Sequence, residues 1–133
     1  MTLAVYTTVY PAVETYLPDW YRSVRQQSDQ DFDLWMGLDG LTRDSVHNVL
    51  GSGLDANWVE LPAGATPAQI RQKALAQIVE TYTEVVLVDS DDTLHPTRVA
   101  AARESLQSAE LTGCALRLVD QRGKSLGDRK SVV

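Results

Sequence analysis

A chain of 133 residues, 44% hydrophobic and 23% charged, has the length and composition of one globular domain with a sizeable core, and disorder is not expected. A formal net charge of -6 argues against sequence-independent binding to nucleic acid or to an anionic membrane, since both need clustered Lys and Arg. No apolar stretch reaches the length of a membrane span and no signal-peptide pattern opens the chain, so a cytoplasmic location without direct membrane insertion is expected. The single cysteine, Cys114, rules out an intramolecular disulfide and a cysteine-based metal cage, and its apolar run GCALRLV predicts a buried, inert thiol.

Leu3 to Tyr10, rich in β-branched and aromatic residues, reads as the first strand and stops at Pro11. Leu17, Trp20, Tyr21 and Val24 recur at helical spacing, which places a helix between Val13 and Gln27, with Pro18 either inside its first turn or marking its true start. Phe32 to Leu38 reads as a second strand ending at Asp39 and Gly40, and Thr42 to Leu50 as a short helix closed by Gly51 and Gly53. A short third strand, Asn57 to Leu61, precedes a clear helix start. There Thr66 can cap, Pro67 suits the first position and Gln69 closes a capping box. Ile70, Ala74 and Ile78, with Leu75 and Val79, form the apolar face, and Arg71 is expected on the first turn, where a guanidinium beside free amides suits a phosphate or carboxylate.

The chain is organised around Glu84 to Pro96, EVVLVDSDDTLHP. Val85 to Val88 read as a buried, central strand that runs into Asp89, Ser90, Asp91 and Asp92 before Pro96 opens a helix carrying Val99, Ala102, Arg103 and Leu106. A last strand, Cys114 to Val119, follows Gly113, and Gln121 to Lys124 reads as a turn into a short return strand. Repeated strand-helix alternation implies an α/β fold, a mostly parallel sheet with helices on both faces as a three-layer sandwich, in one domain spanning 1–133. Ligands of such sheets bind at the carboxyl edge of the strands, which on this reading carries Asp39, Asp89, Asp91 and Asp92 together with Thr7, Thr8 and Tyr10, with packing against the first helix as the alternative for Tyr10. Like charges so close raise one another's pKa unless something positive sits between them, and a hard divalent cation brought in on phosphate oxygens meets that need. The bland alternative is an acidic loop that caps the next helix, but one cap needs one Asp and here there are three. His95 reads as a surface histidine flanking a helix, with a place beside a metal as the alternative, and His47 as lying on a solvated helical face.

In their order, these features resemble the donor half of the family 2 glycosyltransferases: Thr and Tyr ending the first strand, Asp after the second, Arg on the helix before an apolar strand, and that strand running into Asp-Ser-Asp-Asp. The resemblance runs from Leu3 to about Leu126, and its most specific part is VVLVDSDDTLHP with the upstream IRQKAL. It implies a Rossmann-like glycosyltransferase A-type fold, truncated after the donor-binding half, that binds a nucleotide-diphosphate sugar, a UDP-sugar foremost, through Mn2+ or Mg2+. Carried over, Asp39 would bond the nucleobase with Thr8 and Tyr10 nearby, Asp89 would face the ribose, Asp91 would hold the metal, and Arg71 would lie near the diphosphate or base. Asp92 would orient the donor sugar or merely cap a helix. The implied reaction is an inverting hexosyl transfer to a hydroxyl.

Two departures weigh on that reading. Gln72 and Ala74 replace the family's Asn and Gly, and the segment from Val9 to Glu14 is longer than its counterpart. The family's acceptor pocket and general base lie beyond the point corresponding to Val133, and neither Asp120 nor Asp128 is a convincing substitute, so a partner chain or oligomer would have to complete the site. A non-catalytic interaction module with this fold stays open. So does a haloacid-dehalogenase-like phosphatase, with Asp89 as nucleophile and Asp91 as acid/base, although that motif belongs on a first strand. Sugar nucleotidyltransferases lack support, because Thr7 to Pro11 is no Gly-rich loop.

Overall fold

In the computed structural model, which describes residues 3–120 and 122–130, the chain forms two compact units, Met1–Arg103 and Glu104–Val133. The first is built on a four-stranded parallel sheet of β1 (Leu3–Val9), β2 (Asp33–Leu38), β3 (Asn57–Val59) and β4 (Glu84–Leu87), in the order β3-β2-β1-β4. β1 pairs on both sides, Val5 lying opposite Leu34 of β2 and Val86 of β4, and Leu3, Ala4, Val5 and Val9 are fully buried. Alternation along β1 sends its side chains into two separate cores. Val5 and Val9 join Leu17, Trp20, Val24, Met36, Val46 and Val99 on one face, against α1 (Leu17–Arg25), α2 (Arg43–Leu50) and the start of α4 (Arg98–Ser105). Ala4 and Tyr6 join Val59, Ile70, Ala74 and Ile78 on the other, against α3 (Pro67–Thr81). These are the three layers expected of the α/β pattern.

The helices start where local chemistry starts them. Thr66 accepts from the Gln69 backbone N–H while the Gln69 side chain accepts from that of Thr66, and Thr42 and Ser45 form the same reciprocal cap on α2. Pro18 sits in the opening turn of α1, where its missing N–H costs nothing, after a short 3-10 turn at Pro11–Val13. On α3 Ile70, Ala74 and Ile78 are buried and Leu75 packs partly buried against the same core, as expected, whereas Val79 is 68% exposed and does not join the apolar face. β4 corrects another expectation. It is an edge strand among the described residues, with Val86 buried but Leu87 51% exposed, because the sheet is centred on β1 instead.

The second unit holds β5 (Ala115–Val119) paired antiparallel with β6 (Ser125–Lys130). The return strand is there, but the last strand joins it in a hairpin rather than extending the parallel sheet. Asp120 Oδ1 accepts from the backbone N–H groups of Arg122 and Lys124 and closes the turn; Gln121 lies outside the described residues. Asp128 lies in β6, opposite Arg117 in register. Cys114 is exposed, not buried, since it precedes a two-stranded ribbon whose Leu116, Leu118 and Leu126 are themselves exposed.

One contact ties two strands to α3. A Cβ at Gly37 of β2 would lie 2.7 Å from Ile70 Cγ2 and closer still to the Tyr6 hydroxyl, so only glycine fits beside that phenol. Gly37→Ala should therefore lower stability by about 1–3 kcal/mol, the usual penalty of overpacking a close-packed interior, read as a lower denaturant midpoint. Tyr6→Phe in the same chain removes the nearest atom and should recover part of the loss; an unchanged midpoint in Gly37→Ala would show that the phenol does not sit there.

Candidate functional site

The carboxyl ends of the parallel strands meet at one edge, and the acidic loop after β4 is fixed there from both sides. On the β1 side, the Val88 N–H donates to Tyr6 O at 3.0 Å and the Ser90 hydroxyl to Thr8 O at 2.8 Å, with Ser90 buried. The Asp92 N–H closes a tight turn onto Asp89 O at 3.2 Å. On the α1 side, Leu94 N–H donates to Ser23 Oγ at 3.0 Å, and the Gln27 amide donates to His95 O at 2.8 Å while accepting from Val99 N–H at 3.0 Å. Gln27 thus supplies the cap that α4 needs. The helix begins at Arg98, after Pro96.

Asp89, Asp91 and Asp92 are exposed, each offering an oxygen within 4.8 Å of the others. The Asp92 carboxyl is pushed above the usual carboxylate range, by burial of the group first and then by Asp91 and Asp89. Tyr10, 36% exposed, has its phenol pushed up by partial burial and then by the negative fields of Asp91, Asp89 and Asp92, which sets it beside the acids. Three hard oxygen donors with unrelieved mutual repulsion fit a divalent cation that also takes phosphate oxygens.

A second group gathers on the α3 side of β1. The Tyr6 hydroxyl and Thr8 Oγ1 are hydrogen-bonded at 2.8 Å, and the charge of Arg71 is felt at the Tyr6 phenol. Arg71 is exposed and is the fifth residue of α3, one position beyond the free amides of the first turn where it was expected. Asp39 is half-buried at the end of β2, its N–H donating to Val9 O at 2.9 Å, and the following Gly40 takes φ 72° against Pro11. The edge therefore assembles Thr8, Tyr10, Asp39 and the three acids. Thr7 does not join them: alternation turns it to the other face, where it is 1% exposed. His95 is exposed as expected and accepts at Nδ1 from the Thr97 N–H, while His47 is half-buried with its ring 5.4 Å from that of Trp58.

Sequence reasoning missed Ser23, Gln27, Ser90, Tyr6 and Gly37. Ser23 and Gln27 carry a usable signal, since polar residues four apart beside Trp20 and Val24 fall on the buried side of α1 and must find partners there. Ser90 carries none, because its partner is 82 residues away.

No family model and no curated protein sequence matches the chain. Solved structures do match. Residues 1–349 of TarS from S. aureus in complex with UDP superpose with a TM-score of 0.63 at 20% identity, over 83% of this chain and 33% of that one. The corresponding complex with UDP-GlcNAc gives 0.62 at 21% identity, over 83% and 32%, and a longer TarS structure gives 0.62 at 22%, over 91% and 23%. The fold is the glycosyltransferase A-type fold. This A-type chain spans about a third of the length of TarS 1–349, and at this identity the likeness is one of fold.

The raised Asp92 has a consequence for stability. A carboxyl whose folded pKa exceeds its unfolded one binds its proton more tightly in the fold, so stability falls as pH rises from the ordinary carboxylate range through the raised value, and stays lower above it. In chelator, Asp92→Asn should melt at a higher temperature than wild type near neutral pH, and the advantage should vanish in acid below the carboxylate range. An advantage that persisted in acid would point to a cause other than charge.

Proposed function

We propose that this chain is the donor-binding half of a glycosyltransferase, taking a nucleotide-diphosphate sugar, with a UDP-sugar the foremost candidate. The observation that carries the reading is the convergence of Asp89, Asp91 and Asp92, beside Tyr10, at the carboxyl edge of an A-type sheet. TarS, which shares that fold, has been solved in complex with UDP and with UDP-GlcNAc, and this supports a nucleotide-sugar ligand.

In this reading Asp39 accepts a nucleobase N–H from the end of β2, Thr8 and Tyr10 line the base and ribose, and Asp89 faces the ribose hydroxyls. Asp91 is the principal ligand of an Mn2+ or Mg2+ ion, Asp92 lies toward the donor sugar, and Arg71 offers its guanidinium to the diphosphate or base. When bound, the cation stabilises charge on the departing nucleotide diphosphate. The reaction would be an inverting displacement by an acceptor hydroxyl. Its general base has no candidate among the described residues of this edge other than the acids assigned to the donor, so we assign the acceptor side to another segment or a partner chain.

Calorimetric titration of UDP, with and without Mn2+, into wild type and Asp91→Ala tests the reading. Wild type should bind UDP only when the metal is present, and Asp91→Ala should lose about tenfold or more in affinity, the scale seen when support of a metal site is removed. No nucleotide binding by the folded wild type would sink the donor-site reading. Binding of a UDP-sugar without hydrolysis or transfer would leave a nucleotide-sugar-binding module.

A further inference from the structure

Tyr6 is a bulky polar residue on the central strand, and its hydroxyl has a structural neighbourhood the donor-site reading does not use. The residue is 2% exposed, with its ring in the core that contains Ala4, Val59, Ile70 and Ala74. Its phenol oxygen lies over Gly37, the residue paired with Thr8 across the β1-β2 register, and reaches Thr8 Oγ1 at 2.8 Å. Any side chain at residue 37 would displace it.

The direction of that hydrogen bond follows from chemistry. Burial, the largest influence on it, pushes the Tyr6 phenol up, so the phenol keeps its proton at neutral pH. A phenol is a better donor and a poorer acceptor than an aliphatic alcohol, because the ring draws on the oxygen lone pair. Either hydroxyl could donate across this distance, and we take the more acidic phenol of Tyr6 as donor and Thr8 as acceptor. Thr8, half-buried, then has its own proton to give to something outside the core. Arg71, near the same phenol, can only donate, whereas the ionised acids after β4 can only accept.

We propose that Tyr6 is a positioning residue of the donor site, which through its hydrogen bond fixes Thr8 as a hydrogen-bond donor toward an acceptor oxygen of the bound nucleotide. The inference rests on the donor-site reading above. The oxygen belongs either to a nucleobase carbonyl or to a phosphate, and the two are separable.

The test is Tyr6→Phe, which keeps the ring, titrated in Mn2+ with UDP, with CDP, whose amino group replaces one uracil carbonyl, and with inorganic pyrophosphate. Wild-type melting behaviour should be nearly preserved, UDP affinity should fall about 3- to 10-fold, the size of one hydrogen bond, and Tyr6→Phe should cost nothing further in a Thr8→Val background. A loss that pyrophosphate does not share assigns the oxygen to a base carbonyl, the 4-carbonyl if CDP is also spared and the 2-carbonyl if it is not; an equal loss for all three ligands assigns it to phosphate. Unchanged UDP affinity in Tyr6→Phe, or the same loss persisting in Thr8→Val, overturns the inference while the donor site stands. If wild type binds none of the three, the donor-site reading fails and this inference goes with it.

Discussion

Three carboxylates can share one short loop only if something neutral holds the loop down, and the site depends on that hold. Ser90 anchors it to the backbone of β1, while Ser23 and Gln27 anchor it to α1. Gln27 is buried and uses both ends of its amide, donating to Ser23 O and His95 O and accepting from Val99 N–H. Removing one partner in such a network leaves a buried group unpaired, at about 1–3 kcal/mol each. The nearby Arg103–Asp29 ion pair, at 2.7 Å, also ties α4 to the segment before β2, and it pulls the Asp29 carboxyl below its usual range. Exposed ion pairs typically contribute only about 0–1 kcal/mol. Although this pair is partly shielded, the buried amide and hydroxyls are the stronger clamp on the acidic turn. They carry no charge, so they add nothing to the repulsion they resist.

Tension between stability and function is visible in the same loop. Asp92 is more easily protonated than an ordinary carboxyl because of its own burial and its two acidic neighbours, a cost that the fold bears in the absence of a cation. The backbone bond from Asp92 to Asp89 keeps the three charges within reach of one another.

Much of the scaffold was legible in the chain because its signals are local. The Thr66-Pro67-Gln69 cap, the stripe of Leu17, Trp20 and Val24, and the β-branched run of β1 each declare an element within a few residues, and the acids announce themselves. The failures are of two kinds. Thr7 and Arg71 were misplaced by one residue of register, enough to turn a strand side chain to the opposite face or move a helical one past the free amides. β4, Cys114 and Cys114's strand were misjudged because burial depends on what lies alongside in space, and an apolar run looks alike in a central strand, an edge strand and a hairpin. Ser90, Ser23 and Gln27 are long-range partners, and Tyr6 with Gly37 is a matched pair whose meaning appears only when the two strands are side by side.

Parallel topology explains why residues as distant as Thr8, Asp39, Arg71 and Asp91 nonetheless gather. Every strand delivers its carboxyl end to the same edge, and each crossover helix must begin where the preceding strand finishes. α3 follows β3, so its opening turns, with Arg71, start from that edge, while Asp39 and the acids leave β2 and β4 there directly. Which group each element contributes then sets the polarity of the site: a guanidinium comes from α3, while carboxylates come from Asp39 after β2 and from the loop after β4. The make-up of the edge thus follows from how the strands are ordered around β1.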